Sequence, residues 1–556
     1  MKIILNHYEE IVNRTISKIE SENIIERTWK KDHTVWRNNP TEISNRLGWL
    51  DCVNVTRSSF KEINSFVDEV KAEGYTHALL MGMGGSSLAP EVLRLTFGVK
   101  EGYLNLAVLD STHPEAVKEF SDKLDVEKTL FIVSTKSGGT VETISFMKYF
   151  YTEAVKKLGK KKAGNHFVAI TDPGSGLEAM AKDLNFRKIF SNDPDIGGRF
   201  SALSLFGALP AALVGVNLDE FFNRGEKMIN ECKLQDVSKN SGAMLGAIIG
   251  TLAKEGIDKL TIFGSSQIRY FGAWLEQLIA ESTGKDGKGI LPVDLEPVSS
   301  IEIFSRDRVF IHFRLENDSS NDEMIKAIKQ AGFPFIEITL NDVYDLAGEF
   351  FRWEFATAIA GIVLAVQPFD QPNVESAKVA AKEMMSEYQK KGELPKLLPS
   401  LEMDNIKLFG DLQVKNISDA INTFVALAEK GKGYISIQAY VKPDDKTWHA
   451  LQYFRSKISN EYQATVTLGY GPRFLHSTGQ LHKGDGGNGL FIQIVAVDSE
   501  DIPIPVSAGD ENSEITFGTL INAQSLGDRQ ALLNSGRKVL RLELSGNVAE
   551  SIQNLV

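Results

Sequence analysis

From His77 onward the chain repeats one pattern, a short apolar run, a turn rich in small residues, then a helical period. This restricts it to parallel sheets with helices on both faces. The first set of candidate strands is 77–83, 106–110, 129–135 and 166–171, with helices over 114–124 and 141–159. The runs are continuously apolar rather than alternating, as expected of strands buried on both sides. A helical segment, 200–233, closes this set. The pattern then restarts with a helix at 241–256, a strand at 259–265, a helix at 270–283, strands near 308–314 and 334–340, and long helices at 342–367 and 372–392. A third alternating section has strands at 434–440, 464–469, 490–497 and 539–545. Before the first strand, Trp29, Trp36 and Trp49 suggest a helical arm packed on the body. The expected division is an arm over 1–60, an α/β unit over 61–235, a second over 236–392, and a C-terminal α/β section over 393–556 that opens with a linker at 393–418.

With only Cys52 and Cys232 among 556 residues, no disulfide framework is in play. No signal segment and no charge-free apolar stretch of about 18 residues is visible, so a cytoplasmic chain with no membrane partner is expected. The formal charge of −12 argues against nucleic acid as a partner. An anionic small molecule is compatible with it, provided that a few basic side chains and helix N-termini supply local positive potential.

Several turns carry chemistry. The first strand ends in Gly82, Met83, Gly84, Gly85, Ser86 and Ser87, a turn whose backbone can approach an anion. It also resembles part of a dinucleotide fingerprint, with Asp110 as the acid at the end of the second strand and Ser87 where a third glycine is required. The third strand leads through Ser134, Thr135, Lys136, Ser137, Gly138, Gly139 and Thr140 into a helix. Hydroxyls, free amides and a helix dipole are what a phosphate needs, although serine and threonine also cap ordinary helices. Gly197 and Gly198 precede Arg199, which suits either an oxyanion in a cleft or a surface turn. On the helix 270–283, Phe271, Trp274, Leu275, Leu278 and Ile279 form an apolar stripe, and Glu281 falls on or beside it. An inward acid is either structurally paired or a base in a cleft. Lys378 lies in the apolar face marked by Val374, Ala377, Ala381, Met384 and Met385, with Pro372 suited to the first helical turn and Gln371 on the same side. A lysine there can also snorkel to solvent. The histidines show no zinc-ligand spacing, so no metal is expected.

In order and spacing, Gly84-Gly85-Ser86, Lys136 to Thr143, Gly197-Gly198-Arg199, Glu281 to Lys285, and Phe369-Asp370-Gln371-Pro372 through Lys378 resemble the phosphoglucose isomerase family. Asn45 to Asp51 and the section from Gly469 to Gly484 are similar to the isomerase half of bifunctional transaldolase/glucose-6-phosphate isomerases. A transaldolase barrel needs roughly 250 residues of its own, and that activity is not expected of this chain. The resemblance implies two sugar-isomerase (SIS) type three-layer domains, a homodimer, and interconversion of glucose 6-phosphate and fructose 6-phosphate without a cofactor. It implies that Gly85, Ser86, Thr135, Ser137, Thr140 and Gly198, with the Lys136 backbone, bind the substrate and its phosphate. Gln371 would bind substrate, Arg199 would stabilise an enediolate, Glu281 would carry a proton between C1 and C2, and Lys378 with a histidine would open the ring.

The family's histidine falls between the glutamate and the lysine. Here only His312 does so, inside an expected strand, while Leu475 to Gln480 resembles the family's histidine segment after Lys378. His476 is therefore the expected ring-opening group, with His482 and His312 as alternatives. The competing functions are an isomerase of another sugar phosphate such as mannose 6-phosphate, a non-catalytic sugar-phosphate-binding regulator, and a dehydrogenase built on the glycine turn and Asp110. Isomerase activity is expected to survive a chelator; activity lost in chelator and restored by one divalent ion would contradict the metal-free reading.

Overall fold

A computed structural model describes residues 1–297, 300–497 and 500–555. The first sheet has five parallel strands in the order Asn105–Leu109, His77–Gly82, Thr129–Ser134, Phe167–Thr171 and Lys188–Ser191. Residues 78–81 and 130–133 are fully buried, as both-face burial requires. The strand order reverses between His77–Gly82 and Thr129–Ser134. In open α/β sheets a crevice opens beyond the strand ends at such a reversal. The turns starting at Gly84 and at Thr135 both lie at this place.

The second sheet runs Lys2–Ile4, Phe335–Leu340, Arg308–Leu315, Lys259–Gly264 and Leu291–Asp294, all parallel except the first. The expected helical arm therefore begins with a three-residue edge strand, too short to show a period. Two further edge strands, Lys188–Ser191 and Leu291–Asp294, escape sequence reading. Each has four residues, and Pro292 is tolerated because its strand lies at an edge. The segment 200–233 is two helices, Leu205–Leu213 and Leu218–Cys232, separated at Gly215 with φ of +95°.

The third sheet has the order Leu401–Met403, Ile406–Phe409, Lys538–Leu544, Gly489–Ala496, Tyr434–Tyr440 and Thr465–Tyr470, the last four parallel. The expected linker at 393–418 thus carries a hairpin that extends this sheet. The C-terminal section packs on both earlier units. Tyr434, Phe491 and Leu532 share a core with Ala280, Leu291 and Val293, while Ile502, Ile504 and Phe517 pack with Phe146 and Tyr151. Among the described residues no helix is long and apolar enough to cross a membrane.

The arm is held by its tryptophans. Trp29 Nε1 donates to Cys232 O at 2.9 Å and Trp36 Nε1 to Ala358 O at 2.9 Å. Trp49 is fully buried, with ring centroids 5.2 Å from Phe200 and 5.6 Å from Phe351. Because Phe200 follows Arg199, the arm also backs the turn that presents that arginine. Trp49→Ala is expected to cost about 3–5 kcal/mol of stability, the usual range for deleting a buried indole. Chemical denaturation measures it, and a loss below about 1 kcal/mol would mean that this core relaxes freely.

Candidate functional site

The loop after Thr129–Ser134 is shaped by Thr135, whose amide donates to Ile170 O at 3.1 Å. Thr135 Oγ1 and Thr140 Oγ1 are 3.0 Å apart, and the Thr140 side chain does not cap the helix Val141–Leu158. Among the described residues no side chain caps that helix start, so apart from Glu142 N, which its own carboxylate takes, the first-turn amides have no capping partner, the arrangement that favours an anion. Gly138 has φ of +71°, and a Cβ there would stand 2.2 Å from Leu177 N, so only glycine fits. Ser137 is exposed, and its Oγ accepts from Gly139 N at 3.3 Å. The Lys136 ammonium turns away to the Asp172 carboxylate and to Pro194 O, leaving its backbone at the loop.

The first glycine turn serves close packing. A Cβ on Gly85 would lie 1.9 Å from Gly198 O, and one on Gly84 would lie 2.8 Å from His476 O. Without side chains there, the segments carrying Arg199 and His476 come together over the end of the strand His77–Gly82. Ser86, half-buried, faces the same region, and its carbonyl accepts from Ser134 Oγ at 2.9 Å.

Arg199 is 4% exposed and spends four donors on the protein. Nε donates to Ser282 Oγ at 2.8 Å, Nη1 to Gln371 Oε1 at 2.9 Å, and Nη2 to Pro368 O at 2.6 Å and Asp370 O at 2.9 Å. Nη1 also faces Glu281 Oε2 at 3.6 Å. Burial opposes the guanidinium charge, while Glu281 and Asp370 support it. Glu281, near the end of the helix Phe271–Thr283, is 8% exposed and accepts from Gln277 Nε2 at 3.1 Å. The same Nε2 donates to His476 O at 2.8 Å.

His476 enters from the C-terminal section, at the end of the short turn Arg473–His476. Its Nε2 lies 2.9 Å from Glu142 Oε1. Glu142 is buried in the first turn of the helix that follows the hydroxyl loop, and also accepts from Gln524 Nε2 at 2.7 Å. Burial pushes the Glu142 carboxyl up, but the His476 imidazole, the backbone amide and Lys378 together hold it below the usual range. Glu142 is the main site residue that sequence reasoning missed. Its position within Lys136 to Thr143 was the available signal, because an acid in a first helical turn otherwise reads as a dipole partner.

The other two histidines lie elsewhere. His312 is buried beside Glu337 at 3.5 Å, its pKa lowered to about 4 by burial and Arg314. His482 is buried against Ser436 and Gln438, its pKa well below normal because of burial. Asp110 pairs with Arg473 at 3.1 Å, so the acid that a nucleotide ribose would require is already engaged.

Two expectations about the 371–378 region need correction. Lys378 is not part of a buried face. Its side chain is 52% exposed and pairs with Glu375 at 3.1 Å, although it is close enough to Glu142 to act on its charge. The helix Val374–Lys391 buries little beyond Val374 and Ala380, so periodicity overstated its apolar face. Pro372 precedes that helix rather than starting it, and Gln371 sits in the turn clamped by Arg199. Lys285, within the Glu281 to Lys285 stretch, clamps the same turn. Its Nζ donates to Asp370 O at 2.6 Å and to Oδ1 at 2.7 Å.

Parallel sheets covered by helices, with an anion-ready turn at one sheet's reversal point and a buried glutamate–arginine pair and histidine–glutamate dyad in the same molecule, define an α/β protein with a site suited to an anionic small molecule. Residues 27–291 match the model of the phosphoglucose isomerase family. That match spans a little under half of the chain. It is 27% identical over 384 residues to a probable glucose-6-phosphate isomerase of Methanococcus maripaludis, covering 62% of this chain and 85% of that one. It is 31% identical over 250 residues to a glucose-6-phosphate isomerase of Carboxydothermus hydrogenoformans, covering 43% and 53% respectively. Its fold is similar to the crystal structure of a glucose-6-phosphate isomerase from Chlamydia trachomatis, with a TM-score of 0.58, 17% identity, and coverage of 69% of this chain and 87% of that one. Gln371, Lys378 and His476 lie beyond the matched span.

Burial and the neighbouring Arg199 pull the Lys285 pKa down to about 8, against the support of Asp370 and Glu281. An unfolded lysine releases its proton near ~10.4. Between these values the unfolded chain holds more protons, so stability contributed by this group rises with pH. Lys285→Met is expected to lose that rise, about 3 kcal/mol at most, when denaturation midpoints at about pH 7 and about pH 10 are compared with the wild type. Equal pH slopes in the two proteins would contradict this reading.

Proposed function

We propose that the chain interconverts glucose 6-phosphate and fructose 6-phosphate through an enediol, in the cleft around Glu281. The observation that carries this reading is the buried Glu281 carboxylate facing the Arg199 guanidinium at 3.6 Å, beside an uncapped helix start lined with hydroxyls. An aldose–ketose shift needs one base to move a proton between adjacent carbons and one cation for the oxygen that gains charge.

In this reading the phosphate docks on Ser86, Thr135, the Lys136 backbone, Ser137 and Thr140, with Gly85 and Gly198 giving it room. Gln371, held by Arg199, contacts the sugar hydroxyls. His476 and Lys378 exchange protons with the ring oxygen and the anomeric hydroxyl, so that the cyclic sugar opens. Glu142 holds the imidazole in place, and its low pKa keeps it an anion able to support a charged His476. Glu281 then removes the C2 proton of the aldose, the C1 carbonyl oxygen gathers charge opposite Arg199 and takes up the proton that the C2 hydroxyl gives up, and Glu281 returns its proton at C1 to give the ketose. Every step moves protons within the substrate and these side chains. The enzyme is proposed to work as a cytoplasmic homodimer, a state that light scattering reads directly.

Glu281→Gln keeps the shape of the site and removes its base. It is expected to bind fructose 6-phosphate with near-normal affinity while turnover falls by about 10²–10⁴-fold, the usual worth of a general base. Turnover within a few-fold of wild type would move the proton-transfer role to another group.

A further inference from the structure

Behind the His476 turn lies a second cavity, of about 830 Å³, that shares none of the proposed catalytic residues. The helix Phe271–Thr283 serves both places from adjacent positions. Gln277 reaches toward Glu281 and His476, whereas Glu276 lines the cavity. The turn Arg473–His476 divides them in the same way, with Phe474 lining the cavity and His476 directed to Glu142. The opposite wall comes from the C-terminal helix Asp445–Tyr462 and the strand Thr465–Tyr470.

The residues around the cavity bring together partnerless polar atoms, themselves covered by neighbouring groups, and an aromatic face. Arg455 Nη2, Asp294 Oδ1 and Thr467 Oγ1 belong to residues at most 7% exposed and have no hydrogen-bond partner among the described residues. The half-buried Gln452 adds an Oε1 in the same condition. Buried polar atoms of this kind are costly unless something satisfies them. Donors and acceptors are mixed, and the rings of Trp448 and Tyr470, stacked at 6.3 Å, stand beside them. A flat aromatic face suits the C–H face of a sugar ring or polyol chain.

Charge narrows the ligand further. Glu276, Asp294, Asp444 and Asp445 line the cavity and form no ion pair among the described residues. Of the arginines, Arg94 is bound to Glu91 and Arg473 to Asp110. Arg455 spends Nε and Nη1 on the carbonyls of Val466, Asp294 and Leu295. Arg269 is the exposed exception, donating to Tyr270 Oη at 2.6 Å, so the described lining offers no cluster of free cations to hold a phosphate. Burial raises the pKa of Glu276 and of Asp294, and the Asp294 carboxylate adds to the rise at Glu276, which lets the pair keep a proton to donate.

We propose that this cavity is a second ligand site, separate from the cleft around Glu281, that takes an uncharged polyhydroxylated molecule of the free-sugar or sugar-alcohol type. The site is formed where the C-terminal section meets the second sheet, so binding also fastens those two units together.

Titration calorimetry of the full chain with glucose, sorbitol and glycine as probes tests this. Saturable one-to-one binding of glucose or sorbitol is expected, unchanged by saturating fructose 6-phosphate. It weakens about tenfold in Trp448→Ala and in Gln452→Ala, either of which suffices if the other fails to fold. Ser137→Ala leaves it unchanged. The proposal is overturned if neither polyol binds saturably, or if fructose 6-phosphate displaces the polyol and so places it in the Glu281 cleft. Glycine binding in preference to both polyols would overturn it too, because the ligand class would then be a zwitterion.

Discussion

The site depends on the buried guanidinium of Arg199. Removing such a charge from water is costly unless nearly every donor finds a partner, and here the partners come from two segments distant from that of Arg199 itself. Ser282 lies on the helix that carries Glu281, Pro368 and Asp370 form the turn that presents Gln371, and Arg199 itself follows the glycine pair at the edge of the first unit. Satisfying one side chain therefore brings the proposed base, the proposed substrate-binding amide and the hydroxyl loop's own unit into one cleft. The planar fork of arginine fits these carbonyl and hydroxyl acceptors in a way that a lysine ammonium cannot. Lys285 reinforces the same turn through Asp370, so two buried cations share one short stretch of backbone.

The second dependency is on the C-terminal section. His476, Gln524 and Arg473 all cross from it to the first unit, reaching Glu142 twice and Asp110 once. Glu142 is the junction, because its carboxylate joins the helix that starts at the hydroxyl loop to the imidazole. Gly84 and Gly85 make this meeting sterically possible. The glycine turn that first suggests a nucleotide loop thus acts here as a packing surface between chain segments.

Much of the fold was legible because the strands are unbroken apolar runs in a fixed alternation with helices, and the central strand of each sheet was found nearly to the residue. The strands that escaped, such as Lys2–Ile4 and Leu291–Asp294, are short edges whose pairing is decided by distant neighbours rather than by their own pattern. Within the site, Glu281 stood out because an acid on an apolar stripe violates the local rule, and such violations mark functional places. Arg199 was visible only through its glycines. Glu142 and Gln277 were hidden because their partners are 334 and 199 residues away, and no local period records so distant a contact. Lys378 shows the opposite failure: its helix packs on the helix Phe517–Asn534, where Gly527 closes on Ala381, but Lys378 stands outside that contact and is exposed.

The account stands on a single buried carboxylate passing a proton between two carbons opposite a fixed cation. Conversion of fructose 6-phosphate in deuterated water, followed by NMR of the product, tests it most directly. The account predicts deuterium at C2 of the glucose 6-phosphate formed, because a proton held on Glu281 can exchange with solvent before it is returned. Full conversion with no deuterium at C2 would show hydrogen moving directly between the carbons and would contradict it.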